Sequence, residues 1–599
     1  MKTQLSAITK LLRTNALSDL DAFVVAIALF GWAKLSVTSR LSANSAMQRI
    51  LEGGLAAQEQ TLLSAANEHR DGLLSDLLKL QGVNGDVVQT LVSLTYEFVT
   101  SGDVDKLPMA ELLPNHRDAP LALPKELVTL MVQLGQFLPN ERVYTPWDFY
   151  GQLAVASHRL GVFPFIETPI HSSLPRLLQL LADTSSPVQY SDPIIAPSAV
   201  ADGELIKFDV ALSIPPIGLR YERQISQSDR WHRFPEHTTS GAVLAVRHLL
   251  AQTKRRVIAL VPNSLLSNSG SEAAFRQDLL QRGLVEAVIA FPKGLFEATS
   301  VATALLILDP SGRHDKVNFV DVGESRFCNP ISKARWRLAD PEGLAEIALS
   351  SHELADQCVI TVSRKEVLAN DATLQVNRYM AKRRATPLRH KPAVQQSVSL
   401  SEVVHTVRPL PATARKDAPL SNYSTSLHEV GAIDLPSHGY ITRPERLISV
   451  DKTTLDSAAP LFLRPLDIVL IVKGGVGKVG IIPFNIPAPG PGGWIVGQSG
   501  IVLRVNDPQR VDPRALFLRL RSPLGQLQLR GIVAGSTTPL IQLRELIALT
   551  IQLPSREEEV EAIEALETEM NIQEQIDQLR TQQAMAAAHL WSFEGTEQR

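Results

Sequence analysis

Cysteine is nearly absent from this chain: 599 residues contain only Cys328 and Cys358, and neither lies in a CxxC or beside a histidine. A disulfide framework and a cysteine-based zinc site are thereby excluded, no metal site is expected, and a reducing cytoplasm suits the composition. Long apolar runs are missing too. The most apolar early run, residues 22–33, follows Asp19 and Asp21 and falls short of the roughly twenty residues that a bilayer requires, so no membrane anchor is expected. Nor is there an excess of charge of either sign, since the formal net charge is -3. A uniformly basic protein is excluded, and any surface for nucleic acid must be local. What the chain does have is 44% hydrophobic and 20% charged residues, enough apolar material for several buried cores.

The pattern changes along the chain. Residues 1–135 place apolar side chains at spacings of three and four, with Gly53 and Gly54 as a break, and predict a helical bundle. From residue 136 to 381, short apolar runs at 208–212, 256–261, 285–291, 302–308 and 317–322 alternate with helical stretches. That alternation predicts an α/β, Rossmann-like doubly wound sheet. Residues 382–397 are basic and interrupted by Pro387 and Pro392, as in a linker. Residues 398–554 show many short strand-like runs punctuated by Gly and Pro and predict a second α/β domain. Residues 555–599 predict a long helix with a stripe of Val560, Ile563, Leu566, Met570, Ile576 and Leu579. Local charge is uneven. Between residues 386 and 554 there are 18 Lys plus Arg against 11 Asp plus Glu, and 18 minus 11 leaves a formal +7, which locates the footprint for phosphate in that domain.

The segment 256–322 contains RVIALVPNSLL, an Arg-led helix around Arg276, Leu279 and Leu280, then VIAFPKGLFEATSVAT. Val261, Pro262 and Asn263, then Val288, Ile289, Phe291, Pro292, Phe296 and Thr299, follow in order. This succession resembles the catalytic domain of the adenine-specific DNA methyltransferases that form the modification subunits of Type I restriction-modification systems. The resemblance implies a site for S-adenosylmethionine and for an extruded adenine. An Asn-Pro-Pro-aromatic tetrad would accept the adenine amino hydrogens and stack on the ring. Here the matching strand FDVAL leads through Ser213 to Ile214, Pro215, Pro216 and Ile217, so the amide and the ring are both replaced by isoleucine.

The loop that resembles the cofactor cradle departs as well. Where the family has an Asp-Pro dipeptide followed by several glycines, this chain has Thr145, Pro146, then Trp147, Asp148, Phe149 and Tyr150, with Gly151 as the one glycine. The bulky side chains are expected to fill the cofactor space. Glu167, at the end of the next strand, stands where an acid would hold ribose hydroxyls. The resemblance therefore implies a methyltransferase fold without a catalytic residue and with no cofactor expected. The alternative is an active N6-adenine methyltransferase that uses S-adenosylmethionine at Thr145, Pro146, Gly151 and Glu167.

The last third, with LRPLDIVLIVKGGVGKVGIIP, a GSTTPLI turn and an IQLP strand before the long helix, resembles one target-recognition half of a Type I specificity subunit. Leu466 stands where glycine is usual before Asp467. The glycine-rich turn lacks the signature of a nucleotide-phosphate loop. Candidate DNA contacts are Lys473, Gly474, Gly475, Lys478, Arg519, Arg521, Arg530, Ser536 and Thr537. Together the two resemblances imply a modification-specificity fusion that binds double-stranded DNA in a restriction-like or phage-defence system. It would pair as a homodimer through the C-terminal helix and work with a nuclease or helicase subunit. A protein-interaction subunit without DNA binding is the third reading.

Overall fold

A computed structural model describes residues 2–15, 17–68, 72–102, 121–295, 301–323, 325–332, 335–350, 358–385, 397–411, 424–442, 444–534 and 539–588. The chain divides into two compact units, Met1–Val376 and Asn377–Arg599.

In the first unit, helices α1 (Lys2–Thr14), α2 (Asp19–Val37), α3 (Gln48–Gly53), α4 (Leu55–Glu68) and α5 (Gly85–Thr100) form the bundle expected from the leucine spacing. Ser18 caps α2 by accepting the Asp21 N–H. Every side chain of α2 from Ala22 to Ser36 is buried, because a helix that is apolar all round must be enclosed on all sides. By length and composition α2 could cross a membrane; here it is the centre of a packed core.

The same core includes Leu174, Leu177, Leu178 and Leu181 of the helix Leu174–Leu181. A Cβ on Gly31 of α2 would come within 2.8 Å of Leu177, and Lys34 pairs with Asp183 at 2.7 Å. The bundle is thus built onto the α/β layer beside it.

That layer is a nine-stranded sheet. In chain order its strands are β1 (Arg142–Pro146), β2 (Phe163–Thr168), β3 (Val188–Tyr190), β4 (Phe208–Ser213), β5 (Thr253–Pro262), β6 (Val285–Ala290), β7 (Thr303–Leu308), β8 (Lys316–Asp321) and β9 (Val359–Ser363). Their spatial order is β9-β8-β6-β7-β5-β4-β1-β2-β3. The five apolar runs seen in the sequence are β4 to β8. Neighbours from β5 through β4, β1 and β2 to β3 are parallel, as the alternation with helices predicts. β7 runs antiparallel to both β5 and β6. It follows β6 after twelve residues, at the lower limit for a parallel crossover.

The helix Lys125–Gly135 packs with the sheet's own core, among Val143, Val210, Ile258 and Leu344, and not with the bundle that precedes it in sequence. From β1 the chain winds outward through β2 to β3 and then returns to β4 on the other side of β1. The topological switch point, where open α/β sheets hold ligands, is therefore at the C-terminal ends of β1 and β4.

In the second unit, strands Val404–Val407, Gly500–Val505, Ile468–Ile471 and Val479–Ile481 pair in that order as an antiparallel sheet. Leu447–Asp451, Ser424–Val430 and Trp494–Val496 form a smaller one. The last element is a 33-residue helix, Arg556–Ala588, about 50 Å long at 1.5 Å per residue. Of the residues 382–397 read as a linker, 382–385 continue the helix Val376–Ala385 and Ser397 opens a strand, while 386–396 lie outside the described residues.

Candidate cofactor and DNA sites

The two departures from the methyltransferase pattern meet at the switch point. Ser213, which ends β4, donates its hydroxyl to the Pro146 carbonyl at the end of β1 at 3.1 Å. Beyond Ser213, Ile214 is half-buried against the sheet core, Pro215 is buried, and Pro216 and Ile217 are half-buried. No side-chain acceptor for an amino group and no aromatic face stands in this tetrad.

Beyond Pro146 the loop is filled by its own residues. Thr145 is fully buried and its hydroxyl donates to the Phe165 carbonyl at 3.2 Å, a bond that ties β1 to β2. Trp147 takes a left-handed backbone, φ 60°, unusual for a bulky side chain, with its N–H on the Glu167 carbonyl at 2.8 Å. Its indole is buried with Ile194, Tyr221, Phe234, Leu244 and Ala245. Tyr150 goes elsewhere. It joins the helical bundle's core, edge-on to Phe23 at 6.4 Å between ring centroids. The expectation that residues 147–150 jointly fill the cofactor space is corrected here: Trp147 anchors the loop to the sheet side, and Tyr150 anchors it to the bundle.

Asp148 faces the start of the helix Gln152–His158, which follows Gly151 at φ 75°. Its carboxylate accepts the Ala154 N–H at 2.9 Å. Burial pushes its pKa up to about 7, against the opposing pull of the backbone N–H groups of Ala154, Gln152, Leu153 and Gly151. Those N–H groups are the ones that a bound ligand would meet at a helix start. The chain's own carboxylate occupies them.

Glu167 is wholly buried. One oxygen accepts the Ser191 hydroxyl at 2.6 Å and the Ser198 N–H at 2.5 Å, and the other accepts the Tyr144 hydroxyl. A network extends from there. Tyr144 Oη lies 2.9 Å from His248 Nε2, His248 Nδ1 lies 2.7 Å from the Arg233 guanidinium, and Arg233 pairs with Asp229 at 2.7 Å. A guanidinium only donates, so Nδ1 accepts, Nε2–H donates to Tyr144, and Tyr144 donates to Glu167. Burial, and then the charge of Arg233, push His248 well below its ordinary pKa, which keeps this neutral tautomer. Burial and Glu167 hold the Tyr144 proton in place. With both oxygens engaged inside the protein, Glu167 presents neither to a ribose. Sequence reasoning missed Tyr144, Arg233 and His248, since no recognisable spacing joins positions 144, 233 and 248. At this switch point Asp148 is turned to the helix start and Glu167 is bonded through both oxygens within the protein.

In the second unit, Lys473, Gly474, Gly475 and Lys478 lie in the turn between Ile468–Ile471 and Val479–Ile481. Both lysines are exposed, and neither has an ion pair among the described residues. The Gly474 N–H is engaged by the Pro539 carbonyl at 3.1 Å, while Gly475 borders open space. Leu466, in place of the usual glycine, has φ 66°. Asp467 after it is buried and paired with Arg504 at 2.6 Å, a structural contact.

Arg530 is exposed on the helix Pro523–Gly531, one turn beyond Gln526, whose amide donates to the Gly477 carbonyl at 2.9 Å. That i, i+4 spacing places Arg530 on the helix face turned to the glycine turn. Arg519 and Arg521 are corrected as phosphate contacts. Arg519 is partly buried, and burial lowers its pKa. Arg521 is bonded to Glu569 at 2.5 Å and lies over the Phe517 ring at 5.0 Å, clamping the C-terminal helix. Ser536 and Thr537, like Phe296 and Thr299, lie outside the described residues.

The C-terminal stripe also divides. Leu566 is fully buried in the unit's core, whereas Val560, Ile576 and Leu579 are exposed. An apolar stripe exposed along its whole length is therefore corrected to one buried at Leu566 and exposed on either side of it, at Val560 and at Ile576 and Leu579. Packing of the turn around Leu566 on the unit's own core accounts for the difference.

Comparison with known proteins agrees with the sheet. Residues 182–386 match the family described as N-6 DNA Methylase, a match that starts beyond β1, its loop and Glu167. Over 139 residues the chain is 28% identical to the Type I restriction enzyme MpnII methylase subunit of Mycoplasma pneumoniae, which is 23% of this chain and 25% of that protein. The chain thus spans about a quarter of that relative's length. The Type I restriction-modification methyltransferase subunit of Streptococcus thermophilus superposes with a TM-score of 0.52 at 16% identity, covering 63% of this chain and 98% of that one. Residues 182–386 are therefore similar to N-6 DNA methylases, and the chain has a methyltransferase-like α/β fold together with further domains.

Proposed function

We propose that this chain, with its N-6 DNA methylase-like segment and with Asp148 at the helix start of its cofactor loop, is a catalytically inactive modification-specificity fusion that recognises double-stranded DNA. The observation that carries the reading is the state of the switch point. Asp148 holds the helix start, Glu167 is bonded through both oxygens, and Ile214 and Ile217 stand where an amide and an aromatic ring would act. These three departures from the methyltransferase pattern lie at one place, and their convergence supports the reading. DNA recognition falls to the second unit, through Lys473, Lys478 and Arg530 around an open glycine turn.

In this reading the protein is a cytoplasmic scaffold of a restriction-like or phage-defence system, with a nuclease or helicase subunit as partner. The exposed end of the C-terminal helix pairs two copies. Isothermal titration with S-adenosylmethionine, run beside a methyl-transfer assay on duplex DNA, tests the central claim. No heat of binding and no label on DNA are expected. Methyl transfer that disappears on changing Pro215 and Pro216 would establish the active adenine methyltransferase instead. DNA-independent behaviour across a salt series would favour the protein-interaction reading.

A further inference from the structure

The second unit contains a cavity of about 710 Å³ beside the C-terminal helix. Tyr440, Asn485 and Trp494 line it from the body, and Met570, Glu574 and Asp577 from the helix. Its volume is that of a small-ligand site.

Along this helix, carboxylates meet groups of the body in succession. Glu559 accepts the Asp512 N–H at 3.0 Å, and Glu567 reaches Arg514 at 3.8 Å. Glu569 is held by Arg521, by His438 at 3.6 Å and by the Gly439 N–H at 3.2 Å. The next carboxylates on the cavity side are Glu574 and Asp577, at i+4 and i+7 from Met570 and so on its face. Here no answering cation of the body stands among the described residues. Asp577 accepts the Gln573 amide at 3.0 Å and lies 3.5 Å from Arg580, both on its own helix, and Glu574 has no cationic partner among the described residues. None of the described residues lining the cavity is Lys or Arg.

We propose that this cavity takes an alkylguanidinium, as presented by an arginine residue. Two carboxylates on one wall call for a cation with several donors, and a guanidinium meets carboxylates through charge-assisted, forked hydrogen bonds. The aromatic walls, Tyr440 and the buried Trp494, suit the flat face of the same group. A buried indole N–H on Trp494 without a hydrogen-bond partner among the described residues adds a donor, which a peptide carbonyl next to the guanidinium would meet and a bare cation would not. DNA phosphate is excluded by the same charge, so this site is separate from the basic turn of the proposed DNA surface and does not depend on that reading.

The test uses the full chain and the probe N-acetyl-arginine methylamide, with the citrulline analogue as its uncharged isostere, followed by titration calorimetry and tryptophan fluorescence. The arginine probe is expected to bind about tenfold tighter than the citrulline probe, the discrimination typical of a charge-assisted pair. The double variant E574Q/D577N, at two exposed helix positions that leave the fold intact by circular dichroism, should abolish that difference. Agmatine separates the sources of the cation: binding as tight as the arginine probe assigns the site to a free guanidinium, and weaker binding assigns it to a peptide arginine. Equal affinity for the arginine and citrulline probes, no saturation at millimolar concentration, or an unchanged preference in E574Q/D577N overturns the proposal.

Discussion

Replacing Asp148 by Asn isolates the most unusual electrostatic feature of the switch point. In the folded protein this carboxyl has its pKa raised from 3.8 to about 7, chiefly by burial. A raised pKa means that the folded state binds the proton more tightly than the unfolded chain does. Its contribution to stability is therefore greatest below pH 3.8 and is lost as pH rises to about 7. At about 1.4 kcal/mol for each pH unit, the ionised carboxyl weakens folding by about 4 kcal/mol above neutrality, of which about 2.5 kcal/mol develops between pH 5 and pH 8. Asn keeps an acceptor for the Ala154 N–H and carries no charge, so it removes this dependence. Urea unfolding of the two proteins side by side at pH 5 and pH 8 reads the effect. The variant should gain on the parent by about 2.5 kcal/mol on going to pH 8. A difference that stays constant within the error of extrapolation would show that the helix N–H groups keep Asp148 ionised throughout, and the reasoning from burial would fail.

Changing Tyr144 to Phe leaves Glu167 short of one donor and the His248 N–H without an acceptor. With both groups buried the expected loss is about 2–4 kcal/mol, measured by denaturant unfolding, with no change in DNA affinity. Changing Lys473, Lys478 and Arg530 together to Ala should weaken binding to every duplex. It should also flatten the dependence of log K on log salt by about 0.9 for each phosphate that is no longer neutralised, as read by gel shift or fluorescence anisotropy. Arg521→Ala should leave that salt slope unchanged while loosening the C-terminal helix, seen as faster limited proteolysis near Glu569. Removing the exposed end of that helix after Met570 should yield a monomer by light scattering if pairing runs through Ile576 and Leu579, and an unchanged mass would refute that pairing.

The sheet was legible in the sequence because its strands β4 to β8 are buried on both faces and therefore read as continuous apolar runs. The helical bundle was legible for the complementary reason, since leucines at three- and four-residue spacing define a buried stripe whatever they pack on. Leu466 carried a local message as well: glycine is usual at that position, and the structure shows the left-handed backbone that explains why. The absence of an amide at Ile214 and of glycines at 147–150 was also visible without coordinates, because side-chain chemistry alone decides what those residues can offer.

Which groups take the places left open was decided only by the fold. Asp148 is an ordinary loop aspartate in the sequence, and it becomes the occupant of a helix start because Gly151 turns the chain back toward it. Glu167 read as a solvent-facing ribose ligand. It is a buried acceptor because Tyr144, Ser191 and Ser198, far apart along the chain, converge on it. Arg519 and Arg521 counted as positive charge on equal terms with Lys473, yet one is partly buried and the other is neutralised by Glu569, forty-eight residues later. Sequence thus determined the architecture and the departures from the methyltransferase motifs, since periodicity and residue type are local properties. Tertiary structure decided which charges and carboxylates remain available, because availability depends on burial and on partners that only the folded chain brings within hydrogen-bonding distance.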